Sequence, residues 1–521
     1  MNKKVLISFL IILSILLTSC GGGGSTSTEV LTEPPTEDLT PKHTKDEHAD
    51  TDANGYCDGC GDYVIITLDL YTINDLHGKF VDTTQNKGVG GLTTYLKASS
   101  AIDDVALFLS SGDMWQGGAE SNLTHGNIVT DWMNELDFVS MTLGNHEFDW
   151  GEEFIRQNVE LAEFPVLAIN VYSRETDERV DYCAPSVLVE RGGLTIGIIG
   201  AVGDCYSSIS SDKTTEIYFK TDNALTELVK EESNHLKSLG ADVIIYSIHD
   251  GYDRSNSNAS NISSSSLSSY YSEELSRDGY VDVVFEGHTH KSYVLRDSYG
   301  VYHLQGGGDN SGFSHVELDV NYVNDTVGVN TAEFVSVSSY STMPHDNVIN
   351  VLLEKYNEQI DQASDVLGDN AYQRYSDEIC DLVSYLYAEL GETTWGDEYD
   401  IVLGGGFLQL RSPYNLRAGE IKYADLLSIL PFDNQLVLGR IKGSDLKSKF
   451  LYTSNKNYHI TLTDYGKSIE NSIDNNAYYY IIVDTYTSQY AYNRIEEIAR
   501  FDETTFARDL LAEYIKLGGL E

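Results

Sequence analysis

The feature that most constrains the fold is a series of short apolar runs, each followed by glycine and by side chains that bind protons or metals. The runs have the length and β-branched content of strands, and they alternate with amphipathic stretches such as ALTELVKEESNHLKSLG. This alternation predicts an α/β domain. Ligands of such sheets bind at the carboxyl ends of the strands, so polar clusters in these positions indicate a functional site.

The clusters supply carboxylate, amide and imidazole groups. They are NDLHG with Asp75 and His77, SGDMWQGG with Asp113, GNHEFD with Asn145, His146 and Asp149, SIHDG with His249, and GHTH with His288 and His290. Mixed nitrogen and oxygen sets suit zinc, manganese, iron or similar divalent ions. Two ions about 3.5 to 4 Å apart, sharing one carboxylate, require roughly seven or eight protein groups. Glycines beside the clusters, such as Gly144, are expected to provide the bends that let the side chains converge.

In this order the clusters resemble the motifs of the calcineurin-like metallophosphoesterases. NDLHG, GNHEFD and GHTH together resemble the 5'-nucleotidase branch, which includes bacterial UDP-sugar hydrolases and 2',3'-cyclic phosphodiesterases. HLQGGGDNSGFSHVELDV and AGEIKYADLLSILPFDNQLVLGRIKG also resemble it, so the likeness covers roughly residues 64–520. The resemblance implies a four-layer αββα sandwich phosphoesterase domain and a C-terminal α/β substrate-binding domain, joined by a helix.

The resemblance also implies two metal positions. One metal would be held by Asp75, His77 and His290, and the other by Asn145, His249 and His288. Asp113 would bridge the two ions.

The same resemblance makes His146 and Asp149 a catalytic dyad. His146 would stabilise charge at the phosphoryl group or protonate the leaving oxygen, and Asp149 would orient the imidazole. Glu147 is expected to support the site rather than bind a metal.

The C-terminal domain of the resembled family holds the substrate with arginines and aromatic rings. Arg411 in GGGFLQLRSP and Arg374 in YQRYSDEIC are the predicted anion contacts, and Tyr486 and Tyr490 are predicted to stack on a base. The chain departs from the family pattern here, because Leu403 precedes the glycines and the late GGDGY/F signature is absent. The sequence therefore specifies phosphoester chemistry more fully than nucleoside recognition.

The N-terminus predicts export. MNKK followed by VLISFLIILSILL has the charge and length of a secretory signal peptide, and LTSC resembles the bacterial lipobox, whose cysteine is lipidated. Residues 1–19 are therefore the predicted signal peptide. Cys20 is the predicted lipid anchor on the extracytoplasmic face of the cell membrane, with an ordinary signal peptide as the alternative.

Residues 20–62 are rich in glycine, threonine, proline and acids and predict an acidic tether. Within it, DTDANGYCDGCG places oxygen donors at calcium-loop positions: Asp50, Asp52, Asn54 and Asp58. Gly61 stands at position 12, where a carboxylate belongs. The alternatives to calcium are zinc held by Cys57 and Cys60 with His43 or His48, a disulfide between the two cysteines, and a solvated tether without metal.

Residues 63–342 are predicted to form the phosphoesterase domain, 343–368 a connecting helix, and 369–521 the C-terminal domain. The chain has 34 Lys and Arg against 81 Asp and Glu, a formal net charge of −47. Such a surface repels phosphate backbones and argues against duplex nucleic acid as a partner. The predicted partner is a small phosphorylated molecule, a nucleotide, and the membrane is contacted through the N-terminal lipid only.

Together these features predict an extracytoplasmic dimetal phosphoesterase that hydrolyses nucleoside 5'-monophosphates with metal-activated water. The first alternative is 2',3'-cyclic-nucleotide phosphodiesterase or nucleotide-sugar pyrophosphatase activity on the same site. The second is a non-enzymatic surface-binding lipoprotein, which the complete set of ligands and dyad residues disfavours.

Overall fold

The structure is a computed structural model that describes residues 48–102, 105–251, 271–490, 494–502 and 505–520. The predicted signal peptide, Cys20 and His43 lie outside these residues, as does the side chain of Tyr490. Among the described residues, no helix is both long and apolar enough to cross a bilayer.

The strands of the phosphoesterase part follow the predicted apolar runs. In chain order they are β1 (Ile65–Ile73), β2 (Ala106–Ser110), β3 (Ser140–Thr142), β4 (Val166–Leu167), β5 (Val171–Ser173), β6 (Ser186–Arg191), β7 (Leu194–Val202), β8 (Ile217–Phe219), β9 (Val243–His249), β10 (Val283–Phe285), β11 (Ser292–Arg296), β12 (Tyr302–Gly306), β13 (Gly312–Asn321) and β14 (Thr326–Ser336). The helices in and after this part are α1 (Gly90–Ile102), α2 (Ala119–Leu123), α3 (Asn127–Asn134), α4 (Glu152–Leu161), α5 (Asp222–Ser238), α6 (Glu273–Arg277), α7 (Val348–Lys355) and α8 (Asn357–Ile360).

These strands form two six-stranded sheets. The first has the order β14-β13-β1-β2-β3-β4, and the second has the order β11-β12-β10-β9-β7-β6. Strands β1 to β4 are parallel to one another, as are β7, β9, β10 and β12, while β13, β14, β6 and β11 run antiparallel to their neighbours.

The two sheets pack face to face over a core of aliphatic side chains, with Leu70 and Leu109 from the first sheet meeting Ile198 and Ile245 from the second. The outer face of the first sheet is covered by α1 and α3, and that of the second by α5 and α6. The predicted αββα layering is therefore confirmed, and it brings the carboxyl ends of both sets of parallel strands to one edge.

The C-terminal part is a separate α/β layer. Its strands are β15 (Val366–Asn370), β16 (Arg374–Tyr375), β17 (Ile401–Phe407), β18 (Asn415–Leu416), β19 (Gly419–Lys422), β20 (Leu436–Lys442), β21 (Tyr458–Leu462), β22 (Tyr478–Asp484) and β23 (Ile495–Arg500). Its helices are α9 (Ser376–Trp395), α10 (Tyr423–Ile429), α11 (Gly443–Leu446), α12 (Asp464–Ile469), α13 (Thr485–Tyr490) and α14 (Ala507–Lys516). The main sheet has the order β21-β17-β22-β20-β23.

The predicted connecting helix over 343–368 is shorter than expected and interrupted. Helix α7 ends at Lys355, because Tyr356 has the non-helical backbone angles φ −103° and ψ 12°. The chain continues through α8 and a 3₁₀ turn, and β15 then pairs with β19. The apolar spacing in this segment therefore did not decide its conformation, because pairing with a distant strand satisfies the backbone of residues 366–370 instead.

The predicted tether over 20–62 also differs in its described portion. Residues 48–62 are folded against the hairpin of β13 and β14, where Asn321 Nδ2 donates to Asp50 Oδ2 at 2.8 Å and Asn324 Nδ2 donates to the Asp50 carbonyl at 2.8 Å. Asp50 and Cys57 are buried. This portion belongs to the folded part of the chain rather than to a solvated linker.

Candidate active site

The structure brings together the predicted metal-binding residues at the carboxyl ends of the parallel strands. They follow β1, β2 and β3 in the first sheet and β9 and β10 in the second: Asp75, His77, Asp113, Asn145, His249, His288 and His290. The strands themselves are buried in the sandwich and carry apolar side chains. Polar side chains can therefore converge only where the strands end, at the edge of the sheets.

One group of ligand atoms lies around Asp75 and His77. His290 Nε2 is 2.9 Å from His77 Nε2 and 3.4 Å from Asp75 Oδ1. His77 Nε2 is also 3.9 Å from Asp113 Oδ2. These atoms are close enough to share one metal ion.

A second group lies on the other side of Asp113. His249 Nε2 is 3.0 Å from Asp113 Oδ2, and His288 Nδ1 is 3.0 Å from Asn145 Oδ1. Asp113 Oδ2 is thus within 4 Å of a histidine from each group. Its carboxylate occupies the position that a bridging ligand needs.

The chemistry of these donors fits metal ions. His249 Nδ1 lies 2.6 Å from the Ser111 carbonyl, which can only accept, so Nδ1 carries a proton and Nε2 is the nitrogen that faces Asp113 Oδ2. Among the described residues, neither of these two buried atoms has a hydrogen-bond partner. Burial lowers the pKa of His249, but Asp113 and Asp75 outweigh it and raise the pKa to about 10, so the position attracts positive charge. A divalent cation would satisfy both atoms.

The backbone at this edge is strained. Five of the predicted ligands have φ between +48° and +72°, the left-handed region that residues other than glycine rarely adopt: Asp75, His77, Asp113, His288 and His290. Each residue in this conformation lowers the stability of the fold by about 1–3 kcal/mol, and such residues cluster at functional sites.

Gly144 has a different role from the one predicted. Its backbone is not in the left-handed region, but a Cβ there would lie 2.2 Å from Asp113 Oδ1. The glycine is therefore needed for the close approach of Asp113. The backbone bends are made largely by the predicted ligand residues, which adopt the left-handed conformation themselves.

Glu147 connects the loop after β2 to the loop after β3. Its buried carboxylate accepts from the backbone N–H of Asp113 at 2.9 Å, Gly144 at 2.7 Å, Met114 at 2.8 Å and Trp115 at 3.2 Å. Burial and the charge of Asp113 raise the pKa of Glu147 to about 7. This geometry agrees with a supporting role.

His146 and Asp149 form a pair beside the metal-binding residues. His146 Nδ1 is 2.6 Å from Asp149 Oδ2, and Arg411 Nη2 is 2.5 Å from His146 Nε2. A guanidinium only donates, so His146 Nε2 accepts the hydrogen bond from Arg411. His146 Nδ1 therefore carries the proton and donates a hydrogen bond to Asp149. The three side chains therefore fix a single imidazole tautomer.

These residues open into a cavity of about 270 Å³. Asn145, His146 and His288 line one side, and residues of the C-terminal part line the other. That second side includes Phe407, Leu430, Phe432, Asn434 and Tyr486. The ring centroids of Phe407 and Tyr486 are 5.9 Å apart, and those of His146 and Phe432 are 5.7 Å apart.

Two family matches cover most of these elements. Residues 69–292 match the calcineurin-like phosphoesterase family, and residues 398–461 match the 5'-nucleotidase C-terminal domain family. The chain belongs to the calcineurin-like phosphoesterases of the 5'-nucleotidase branch. It is a phosphoric ester hydrolase of that branch, as its named relatives also indicate.

Protein UshA of Yersinia enterocolitica is 25% identical over 457 residues, which are 76% of this chain and 80% of that protein. The 5'-nucleotidase of Mus musculus is 25% identical over 435 residues, 74% of this chain and 71% of that protein. The crystal structure of a 5'-nucleotidase precursor from Thermus thermophilus superposes with a TM-score of 0.65 at 19% identity, covering 87% of this chain and 96% of that one. This last likeness shows the shared fold.

In this phosphoesterase, Arg411 and Tyr486 reach the cavity and Arg374 does not. The Arg374 guanidinium donates to Asn370 Oδ1 and lies 4.3 Å over the ring of Tyr372. It is not among the described residues that line the cavity. Arg374 begins β16, and its guanidinium is held by Asn370 and Tyr372, which precede that strand.

The sequence reasoning missed two aromatic residues of the cavity, Phe407 and Phe432. Phe432 ends the LPF segment that directly follows α10. Phe407 directly follows the three glycines at the end of β17. An aromatic residue at the end of a buried strand was the signal that could have identified it.

Cys205 also lies near the second group of ligands, within 4.8 Å of the metal-binding atoms of His249 and His288. Its thiol donates to the His249 carbonyl at 2.9 Å. Burial and the nearby carboxylates of Asp250 and Asp113 raise the pKa of this thiol well above its usual value. Cys205 is therefore a neutral donor that positions His249 rather than a thiolate ligand.

Proposed function

We propose that this phosphoesterase hydrolyses nucleoside 5'-monophosphates to nucleoside and phosphate. One observation carries the proposal: a single cavity places the His146–Asp149 pair and Arg411 between the metal-binding residues and the aromatic rings of Phe407 and Phe432. This order matches the order of groups in a nucleotide, in which the phosphate and the base stand at opposite ends.

The metal-binding residues hold two divalent cations in this proposal. Asp75, His77 and His290 supply one position, and Asn145, His249 and His288 supply the other, with Asp113 shared. When bound, the ions supply Lewis-acid neutralisation of phosphoryl charge and activation of the attacking water.

Arg411 and His146 act on the side of the phosphoryl group that faces away from the metal-binding residues. Arginine binds phosphate oxygens through parallel N–H donors, so Arg411 orients the phosphoryl group and balances its charge. His146 holds a proton on Nδ1 against Asp149, and a second proton on Nε2 can pass to the ester oxygen as the nucleoside leaves. Asp149 stabilises the imidazolium form in which His146 carries both protons.

The aromatic side of the cavity supplies the contact with the nucleoside. Phe407, Phe432 and Tyr486 present ring faces, and any nucleobase can stack on an aromatic ring. The named similarity to 5'-nucleotidases supports the same substrate class.

A hydrolysis panel tests the proposal. AMP, 2',3'-cyclic AMP, UDP-glucose and p-nitrophenyl phosphate are supplied with added manganese, and the products of each are separated by chromatography and quantified. We expect AMP to be the best substrate and Asp113→Ala to abolish turnover. An enzyme that leaves AMP intact while hydrolysing 2',3'-cyclic AMP or UDP-glucose would instead be a cyclic phosphodiesterase or a nucleotide-sugar pyrophosphatase. Unchanged turnover by Asp113→Ala would contradict the assigned site.

The proposal includes a location. An apolar run followed by LTSC and a glycine-rich stretch supports lipid attachment at Cys20, on the extracytoplasmic face. We expect the native protein to partition into detergent and a Cys20→Ser variant to partition into water. If the native protein and the Cys20→Ser variant partition equally into the detergent phase, Cys20 does not carry a lipid anchor.

A further inference from the structure

The segment that was expected to be a tether contains a second cluster of metal-binding side chains, far from the active site. His48, Cys57 and Cys60 place their ligand atoms within 4.8 Å of one another. We propose that these three residues hold a structural zinc ion at the start of the phosphoesterase domain.

The spacing of the atoms suits tetrahedral zinc. Zinc binds thiolate sulfur at about 2.3 Å and imidazole nitrogen at about 2.0–2.1 Å, so tetrahedral angles place a sulfur and a nitrogen ligand about 3.6 Å apart. His48 Nδ1 lies 3.5 Å from Cys60 Sγ. The three residues supply three of the four tetrahedral positions.

The backbone around Cys57 is arranged for a thiolate. The N–H of Gly61 donates to the Cys57 carbonyl at 2.8 Å, which closes a tight turn between the two cysteines. Backbone N–H groups of Ala49, Cys60 and Gly59 surround the Cys57 sulfur. Both cysteines are free thiols in the structure, which sets aside the disulfide alternative there.

The calcium alternative fits the same segment less well, because its carboxylates are already used. Asp50 Oδ1 accepts from the Asn54 N–H at 3.0 Å, and Asp50 Oδ2 accepts from Gly55 N–H at 3.0 Å and from Asn321. Asp58 Oδ2 accepts from the backbone N–H and the hydroxyl of Thr51 at 3.0 and 2.6 Å. These oxygens shape the loop instead of pointing to one common centre.

The position of the cluster indicates a structural role. His48 packs edge-on against Tyr322 in the hairpin of β13 and β14, with ring centroids 6.2 Å apart. The segment leads directly into β1, whose other end carries Asp75. The nine residues of β1 span about 26 Å, so this zinc would fasten the start of the domain without reaching the substrate.

Metal analysis of the full chain tests the proposal. The wild type and the variants Cys57→Ser, Cys60→Ser and Cys380→Ser are purified without oxygen, incubated with zinc and separated from free metal. Cys380 is the matched control, because it is a buried cysteine in α9 of the C-terminal part. We expect Cys57→Ser and Cys60→Ser to hold one zinc ion fewer per chain than the wild type and Cys380→Ser. All four proteins should hydrolyse p-nitrophenyl phosphate at similar rates, which shows that they are folded.

Cobalt(II) provides a second measurement that needs no variant to fold. Thiolate ligands give cobalt a near-ultraviolet charge-transfer band, whereas imidazole and carboxylate ligands do not. We expect the band in the wild-type protein. Equal zinc content in the wild type and Cys57→Ser, a wild type without the band, or an additional ion that is calcium would each overturn the proposal. These outcomes are separate from the substrate panel, since the zinc does not take part in hydrolysis.

Discussion

The guanidinium of Arg411 lies 2.5 Å from Nε2 of His146, so the two family domains meet at this imidazole. Arg411 follows β17 in the C-terminal domain, and His146 follows β3 in the phosphoesterase domain. The same guanidinium lies 5.5 Å from the centre of the Phe432 ring. A phosphoryl group bound between Arg411 and His146 would replace the contact between these two side chains, and substrate binding would then draw on residues of both domains.

Replacement of Arg411 tests this relationship. Arg411→Ala removes a charged donor to the phosphoryl oxygens, and we expect kcat/KM for AMP to fall about 100-fold, because hydrogen bonds to charged groups contribute about 2–3 kcal/mol. Steady-state kinetics measures the change. Arg417→Ala is the matched control, because Arg417 donates to Thr84 at 2.9 Å on the exposed surface. Equal losses in the two variants would mean that Arg411 does not contact the phosphoryl group.

The role of His146 can be tested through the leaving group. His146→Asn removes the proton donor, and the effect should depend on how strongly the departing oxygen needs a proton. We expect the rate with AMP to fall about 1000-fold, and the rate with p-nitrophenyl phosphate, whose phenolate leaves unprotonated, to fall about 10-fold. Asp149→Asn should show the same pattern more weakly. Equal losses on both substrates would show that His146 stabilises phosphoryl charge instead.

Much of this site could be predicted from the sequence because its residues lie next to strands in the chain. The runs that form β1, β9 and β10 are apolar enough to mark buried strands, and the motif residues follow within a few positions. Parallel strands in one sandwich bring their carboxyl ends together, so residues as distant in sequence as His77 and His290 could be assigned to one site.

The remaining features depend on contacts that local patterns do not encode. Phe407 and Phe432 line one cavity because the segment after β17 meets the end of α10, where the Arg411 N–H donates to the Ile429 carbonyl at 2.9 Å, and no periodicity specifies that approach. Residues 48–62 look like a solvated linker by composition, yet Asn321 and Asn324 hold them against the β13–β14 hairpin. The strand that begins at Val366 likewise depends on pairing with β19, which lies more than fifty residues later in the chain.

Glu147 is expected to act through the residues that it positions. In Glu147→Gln an amide N–H₂ replaces one carboxylate oxygen and faces backbone N–H groups, which leaves donors without an acceptor at about 1–3 kcal/mol each. We expect a lower melting temperature and about 10- to 100-fold weaker metal binding, with kcat recovering at high manganese. Glu153→Gln is the control, because Glu153 is exposed on α4 and contacts Gln157. A kcat that stays low at saturating manganese would contradict a positioning role.

Asp484, at the end of β22 beside the cavity, gives a prediction about pH. Its carboxylate is buried and accepts from the Thr487 N–H at 2.6 Å. Burial raises its pKa from 3.8 to about 6, although Thr487 and Tyr387 lower it by hydrogen bonding. Because the folded pKa exceeds the unfolded one, the group stabilises the fold below pH about 4, and this stabilisation is lost as the pH rises through about 6.

Asp484→Asn is neutral at every pH and should remove this dependence. One pKa unit corresponds to 1.36 kcal/mol, and integration over the two pKa values gives a fall of about 2 kcal/mol in the stability of the wild type relative to Asp484→Asn between pH 4 and pH 7. Thermal melting of both proteins across this range measures the difference, and Asp464→Asn, whose side chain is 98% exposed, serves as the control. Melting curves of the wild type and Asp484→Asn that shift in parallel with pH would show that Asp484 titrates alike in the folded and unfolded chains.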